Sequence, residues 1–451
     1  MGSALDRMTA RLAGFEIGAL DPATIAHVAD TWRDLLAVMV GGSAGTEVSQ
    51  IARRYALRFP GTSPVVGGGT AAPALSAFAN GIAASALDYE DGHATGGAMH
   101  PASPIIPAII AASDASTTLG EAWAAHVVGV EVAVRIAYAL HTYGSHVWFH
   151  GTGLPGAVGA AAAVAALHGG DADVLRRSVQ AAFTHAPFAN GAWPMIKEAV
   201  GWGAMTGLAA AELAELGLLR LPADYTPPYV NINPETSLDL PGAAEDAFLN
   251  SAGTVFEAGA TYFKPYAACR WLHSAAEATA ILCRAHDISA DQIERIDVFT
   301  HKGATGFSEL SPRTPEHGQY SHEMVVSAVV MFGRAGWREL TVEAMADPAR
   351  QALGARVQLH HEPEMDPLLP AQLPARVRIT LCDGRTLTET VLDAPGSPEA
   401  PLGAERLHTK WIDLLTARLT SAEAEALLCD LGDASRPLLE VIAPIMREVA
   451  S

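Results

Sequence analysis

The chain has 451 residues, more than one ordinary hydrophobic core holds, and its 49% hydrophobic and 17% charged content excludes a disordered polymer. Its formal net charge is -20, from 29 Lys+Arg against 49 Asp+Glu, which argues against nucleic acid and anionic membrane surfaces as partners. Cys269, Cys283, Cys382 and Cys429 form no CxxC pair, so no zinc knuckle or disulfide framework is expected and a cytoplasmic location is. The opening MGSALDRMTARLAGF lacks the charged-then-apolar pattern of a signal peptide. The longest small-residue apolar run, Gly153 to Leu167, is too short to span a bilayer.

In chain order, residues 21 to 42 predict a helix. Asp21 is its N-cap, Pro22 its first residue, and Ile25, Val28, Trp32, Leu35, Leu36 and Met39 recur at helical spacing until Gly41-Gly42 ends the run. Gln50 to Phe59 predicts a shorter helix and Gly61 to Gly69 a loop. From Ala72 to Gly217 nearly everything is helical in character and rich in Ala, as in a bundle of closely approaching helices with short Gly- or Pro-containing connections. Pro222 to Gly242 reads as a connection. After Gly253 the texture changes: Gln292 to Thr300 alternates like a strand, and Ala355 to Leu359 fits another. Ala375 to Leu392 predicts a hairpin turning at Asp383-Gly384, with Glu389 out of pattern on its second arm. Helices are expected near Leu272 to Ala285 and His322 to Phe332, and amphipathic helix returns from Ala404 to the end. The expected fold is mostly α: a large all-helical domain (1–262 and 402–451) with a smaller α+β domain (263–401) inserted before the C-terminal helices.

Four islands of polar residues interrupt this pattern. LDYEDGHATGGAMHP packs Asp88, Glu90, Asp91, His93 and His100 into a loop between two buried-looking helices, the usual place for catalytic groups on a rigid scaffold. Taken alone it equally describes a polar helix–helix connection. In WFHGTGLPGAVG, His150 precedes a Gly-rich turn that opens a helix, whose free N–H groups suit an anion. In MIKEAVGWGAMTG, Lys197 is the only lysine before Lys264, isolated in an apolar region. In YFKPYAACRWLH, Lys264, Arg270 and His273 lie close together, with Arg270 and His273 three apart on one expected helix face; Cys269 reads as a small buried residue. Asp88, Asp91, His93 and His100 could ligate a metal, but they have no helical HExxH or HxxxH spacing among them to support one. No GxSxG elbow, P-loop or GxGxxG after a strand is present.

Taken in order, LDYED…HP, FHGTG…G, a Lys before G-x-G/A, and KPYAxCRxxH resemble the MmgE/PrpD family, whose members include 2-methylcitrate dehydratase, cis-aconitate decarboxylase and iminodisuccinate epimerase. Asp383-Gly384 and Lys410 fit too, and the resemblance covers essentially the whole chain. It implies a large helical domain with a smaller α+β lid, a homodimer, and a cofactor-independent, metal-independent lyase acting on a small carboxylate. The chemistry implied is proton abstraction beside a carboxylate, most simply dehydration of a hydroxy-polycarboxylate. Epimerisation, decarboxylation or a lapsed carboxylate-binding protein are the alternatives. By resemblance Asp88, His100, His150 and His273 are catalytic candidates, with Asp88 orienting a histidine and His100 or His150 as base. Lys197, Lys264, Arg270 and Cys269 would bind substrate. The chain departs from the decarboxylase pattern at Gly92 (threonine there), Cys269 (histidine), Met324 (tyrosine) and Val200, where the family often has histidine.

Overall fold

A computed structural model describes residues 4–96, 99–143, 150–187, 196–218, 246–397 and 400–448. The expected connection 222–242, Trp148 and Phe149 of the second island and Met195 of the third lie outside these residues. The chain is mostly α-helical with a small mixed sheet. It divides into two compact units. One comprises Met1–Ala86, Glu90–Thr261 and Trp411–Ser451; the other comprises Leu87–Tyr89 and Tyr262–Lys410. The division passes through the helix Ala404–Leu415 and assigns three residues of the first island to the second unit.

The helical unit contains α1 (Ala4–Leu12), α2 (Pro22–Gly45), α3 (Glu47–Ala56), α4 (Pro73–Ser85), α5 (Ala102–Ala112), α6 (Leu119–Thr142), α7 (Gly153–Leu167), α8 (Ala172–His185) and α9 (Glu198–Glu215). Two short strands, β1 (Ser63–Pro64) and β2 (Thr70–Ala71), pair antiparallel where a plain loop is expected. Helix α7 packs against α5, α6, α8 and α9. The core is built from residues such as Leu154, Val158, Val164, Val179 and Leu208, with alanines filling the close approaches. Asp21 caps α2 as expected, accepting from the N–H groups of Ala23 and Thr24 at 3.0 Å each. The helix does not stop at Gly41-Gly42, however, but continues to Gly45. Gly42 is a contact glycine: a Cβ there would lie 2.2 Å from the Ala83 carbonyl oxygen of α4. Helix α6 also corrects an expectation, because by length and composition it could cross a membrane. Of its most apolar stretch, 94% is buried inside the protein, as in a core helix.

The α+β unit has a four-stranded sheet of order β4-β3-β5-β6, with β3 (Ile293–Thr300) parallel to β4 (Val357–His361) and antiparallel to β5 (Ala375–Leu381). The β5–β6 hairpin (β6, Thr386–Val391) has the expected turn, and pairs Val377 with Glu389. Ile296, Val298, Val377 and Ile379 point to one face. There they meet Ala278, Leu282, Val326 and Val330 from helices His273–His286 and His322–Phe332.

Helix contacts this close leave no room for side chains. At Gly207 of α9 an added Cβ would meet the Ala157 carbonyl oxygen and the Ala160 Cβ, each at 2.5 Å. Gly207→Val is expected to lower stability by about 1–3 kcal/mol, the cost of overpacking. Gly18→Ala, with nothing within 4 Å of the new Cβ, should shift it by less than about 0.5 kcal/mol. Urea titration of the two variants reads the difference, and equal midpoints would contradict the packing account.

Candidate active site

In the helical unit a hydrogen bond from the His100 backbone to the Thr152 side chain joins the first and second islands. The Asp91 carboxylate accepts from the Ala102 N–H, at 3.3 and 3.4 Å for its two oxygens, at the start of α5. Its own carbonyl oxygen lies 2.6 Å from Nδ1 of His100. A carbonyl only accepts, so Nδ1 of His100 carries the proton and Nε2 of the neutral ring holds the lone pair. The His100 backbone N–H donates to the Thr152 hydroxyl at 3.1 Å. Nδ1 of His150, by contrast, accepts from the N–H groups of Gly153 (3.0 Å) and Thr152 (3.4 Å), where α7 begins. His150 is therefore the opposite tautomer, with the proton on Nε2. Thr152 was not singled out from sequence; a threonine beside a Gly-rich turn gives no signal by itself. Lys197 is 4% exposed and immediately precedes α9. Its carbonyl accepts from the Ser85 hydroxyl at 3.3 Å. An ammonium group at a helix N-terminus meets the positive end of the helix dipole, so an anion is favoured beside it.

The helical unit also holds a buried polar network that the sequence reading passed over. Arg135 and Glu131, one turn apart on α6, pair at 2.5 Å with both side chains fully buried. Glu131 also accepts from the N–H groups of Glu257 and Ala258. The Glu257 carboxylate lies 3.1 Å from Nε2 of His93. Burial, opposed by Arg135 and reinforced by Glu257, raises the Glu131 carboxyl to about 7.

In the α+β unit Asp88, Lys264, Arg270 and His273 are all buried. Lys264 Nζ donates to the Asp88 carboxylate at 2.8 Å and to the Asp88 carbonyl at 2.9 Å. Asp88 adopts φ of 49°, the left-handed region that an aspartate enters only at a cost. The Asp88 carboxylate forms an ion pair with Lys264. Lys410, 7% exposed, donates to the Tyr89 carbonyl at 2.8 Å. Arg270 opens a single 3-10 turn, Arg270–Leu272, that runs directly into the helix starting at His273. Arg270 pairs with Asp393 at 3.1 Å, donates to the Ala394 carbonyl, and lies 4.3 Å from the Tyr262 ring centre. Nε2 of His273 lies 2.9 Å from the Ala268 carbonyl, so it carries the proton. Burial first, then Arg270 and Lys264, holds His273 well below the ordinary histidine value. Cys269 is half-buried, with its N–H donating to the Gln319 carbonyl.

Comparison with known proteins adds to this geometry. The MmgE/PrpD N-terminal domain matches residues 6–223 and the C-terminal domain residues 266–430. The chain belongs to the MmgE/PrpD family. Similar members are the cis-aconitate decarboxylase of Mus musculus, 27% identical over 407 residues (84% of this chain, 80% of the relative), and that of Homo sapiens, 27% identical over 405 residues (84% and 81%). Met324 and Val200 are both buried in helices.

The buried histidines make stability sensitive to acid. His273 is held below the ordinary value near 6.5, and burial takes His322 down to about 4. The unfolded chain binds protons on both as the pH falls below about 6.5, whereas the folded protein resists them. Stability is therefore full above that pH and falls as the pH drops through the window, with a limiting slope of about 1.4 kcal/mol per pH unit for each histidine. His273→Gln should flatten the acid limb of the unfolding midpoint plotted against pH; an unchanged limb would refute the assignment.

Proposed function

We propose that this MmgE/PrpD member is a lyase that moves a proton at a carbon beside a carboxylate. Within that class we propose a hydro-lyase acting on a small hydroxy-polycarboxylate. The reading rests on the opposite tautomers of His100 and His150. A carbon acid beside a carboxylate needs a base and a donor for the charge that develops on the carboxylate oxygens. With Nδ1 on the Asp91 carbonyl, Nε2 of His100 is the ring nitrogen that serves as base, and that carbonyl stabilises the imidazolium formed when it takes the proton. Nε2–H of His150 is such a donor, and it works as a neutral hydrogen-bonding electrophile rather than as an acid. The His100 imidazolium then returns its proton to the departing hydroxyl, so that water leaves and the base is restored. Lys197 supplies a buried cation in the same unit for a carboxylate.

A second reading, decarboxylation, is supported by the two cis-aconitate decarboxylase relatives. Against it stand the departures at Cys269, Met324 and Val200, since the buried Met324 and Val200 side chains bring no hydroxyl or imidazole.

Proton NMR in deuterated water tests both readings. With citrate-like and malate-like acids, wild-type protein is expected to exchange the proton beside a carboxylate and to form the alkene. His100→Ala should slow exchange by about 10²–10⁴-fold, the usual worth of a general base. His150→Ala should slow it by about 10²–10³-fold, as for loss of a positioned donor. Carbon dioxide release from cis-aconitate without hydroxy-acid dehydration would establish the second reading. Undiminished exchange in His100→Ala would sink the proposed base.

A further inference from the structure

Among the buried polar groups of the α+β unit that have no hydrogen-bond partner within the described residues are the Tyr262 hydroxyl, Nη1 of Arg270 and Nδ1 of His273. Their residues are 3%, 5% and 0% exposed. A buried polar group left unsatisfied is costly, and native proteins keep few of them without reason. These three share surroundings. The Tyr262 ring lies against the Arg270 guanidinium. Lys264, Arg270 and Asp88 act electrostatically on both Tyr262 and His273. The orphaned ring of the buried His126 lacks such company, since the residue that acts on it is another histidine, His27.

The three groups ask for different things. The Tyr262 phenol stays protonated, because burial pushes it up to about 12, so its hydroxyl is available to donate. Nη1 of Arg270 only donates. Nδ1 of His273 only accepts, because the ring proton is committed through Nε2 to the Ala268 carbonyl. Two donors beside Lys264 match the oxygens of a carboxylate. A lone acceptor on a neutral ring matches neither a carboxylate nor an alkene; it requires an X–H group on the ligand.

We propose that Tyr262, Arg270 and His273 form a subsite for a hydroxy-carboxylate, in which Tyr262 and Arg270 donate to one carboxylate and Nδ1 of His273 accepts the ligand's hydroxyl proton. Tyr262 becomes a specificity residue, and the subsite selects acids that carry a hydroxyl over those that lack one. It rests on the proposed function only for the class of ligand, a small polycarboxylate. A site built to hydrogen-bond a hydroxyl rejects the analogue without it much more strongly than an apolar pocket rejects a size change.

The test compares citrate with propane-1,2,3-tricarboxylate, the same skeleton without the hydroxyl, by calorimetric titration of the full-length protein. Wild type is expected to bind citrate at least tenfold more tightly. His273→Gln keeps a donor for the Ala268 carbonyl and loses the acceptor, so it should bring the ratio close to one. Tyr262→Phe keeps the ring against Arg270 and loses the hydroxyl. It should weaken both acids about tenfold, leave their ratio intact, and not lower the unfolding temperature, since it removes an unsatisfied buried group. Equal affinities in wild type, binding of neither acid, or folded variants that keep the wild-type ratio and affinities would each overturn the subsite. The last result would mean that ordered water satisfies these groups. Exchange of the proton beside the carboxylate, followed in the same variants, separates this proposal from the reaction. Hydroxyl selectivity without exchange in wild type would remove the lyase reading and leave the subsite. Exchange without selectivity would do the reverse.

Discussion

Much of the α+β unit's chemistry depends on one buried ion pair, Lys264 with Asp88. Neither charge could stand alone in the interior: removing one partner of a buried pair costs about 3–5 kcal/mol, because the other is left uncompensated. Lys264 also takes the Asp88 carbonyl, and Lys410 takes the next carbonyl along, that of Tyr89. The Tyr89 hydroxyl in turn donates to the Pro265 carbonyl at 3.1 Å. Two ammonium groups and a phenol thus hold the segment around Asp88, whose left-handed backbone costs an aspartate about 1 kcal/mol or more and persists where its surroundings over-determine it. That strain is spent on geometry: it fixes where the Asp88 carboxylate points.

The helical unit reaches the same end by packing. Glycines and alanines let α4, α7 and α9 approach closely, and the N-terminal turns of α5 and α7 become rigid supports. The Asp91 carboxylate caps one turn, and the other presents the N–H groups that fix the His150 ring. Both histidines therefore have their tautomers set by backbone atoms of the scaffold. Substitutions at Thr152 would act on His100 by way of its backbone N–H.

What was legible in the sequence was what local pattern determines. The helix expected at His322 to Phe332 is found with those bounds, and the hairpin turns at Asp383-Gly384. Each has a strong period and its own start or stop signals. Gly41-Gly42 misled because the same residue type ends helices and lets them touch, and only the position of α4 tells which. The clustering of candidate residues was visible, but their partners were not. Lys264 meets Asp88 across 176 residues and Lys410 meets Tyr89 across 321, distances at which no pattern survives. Tautomers were out of reach for a related reason, since they depend on carbonyl and N–H groups that every residue carries.

The scarcity of lysine sharpens the picture. The chain has only four, Lys197, Lys264, Lys302 and Lys410, and of these Lys302 alone is exposed. A solvated lysine serves solubility; three buried ones in a chain of net charge -20 cannot be serving that. The long-range field of such a protein repels a polycarboxylate, and moderate salt screens that repulsion over about 8 Å at physiological ionic strength. Buried cations are screened far less. If the proposed function holds, capture of an anionic substrate is divided between an encounter that salt assists and a bound state that salt weakens little. Arrival rates should rise with ionic strength while dissociation rates stay nearly constant, the opposite of an enzyme that draws its anion in with surface lysines.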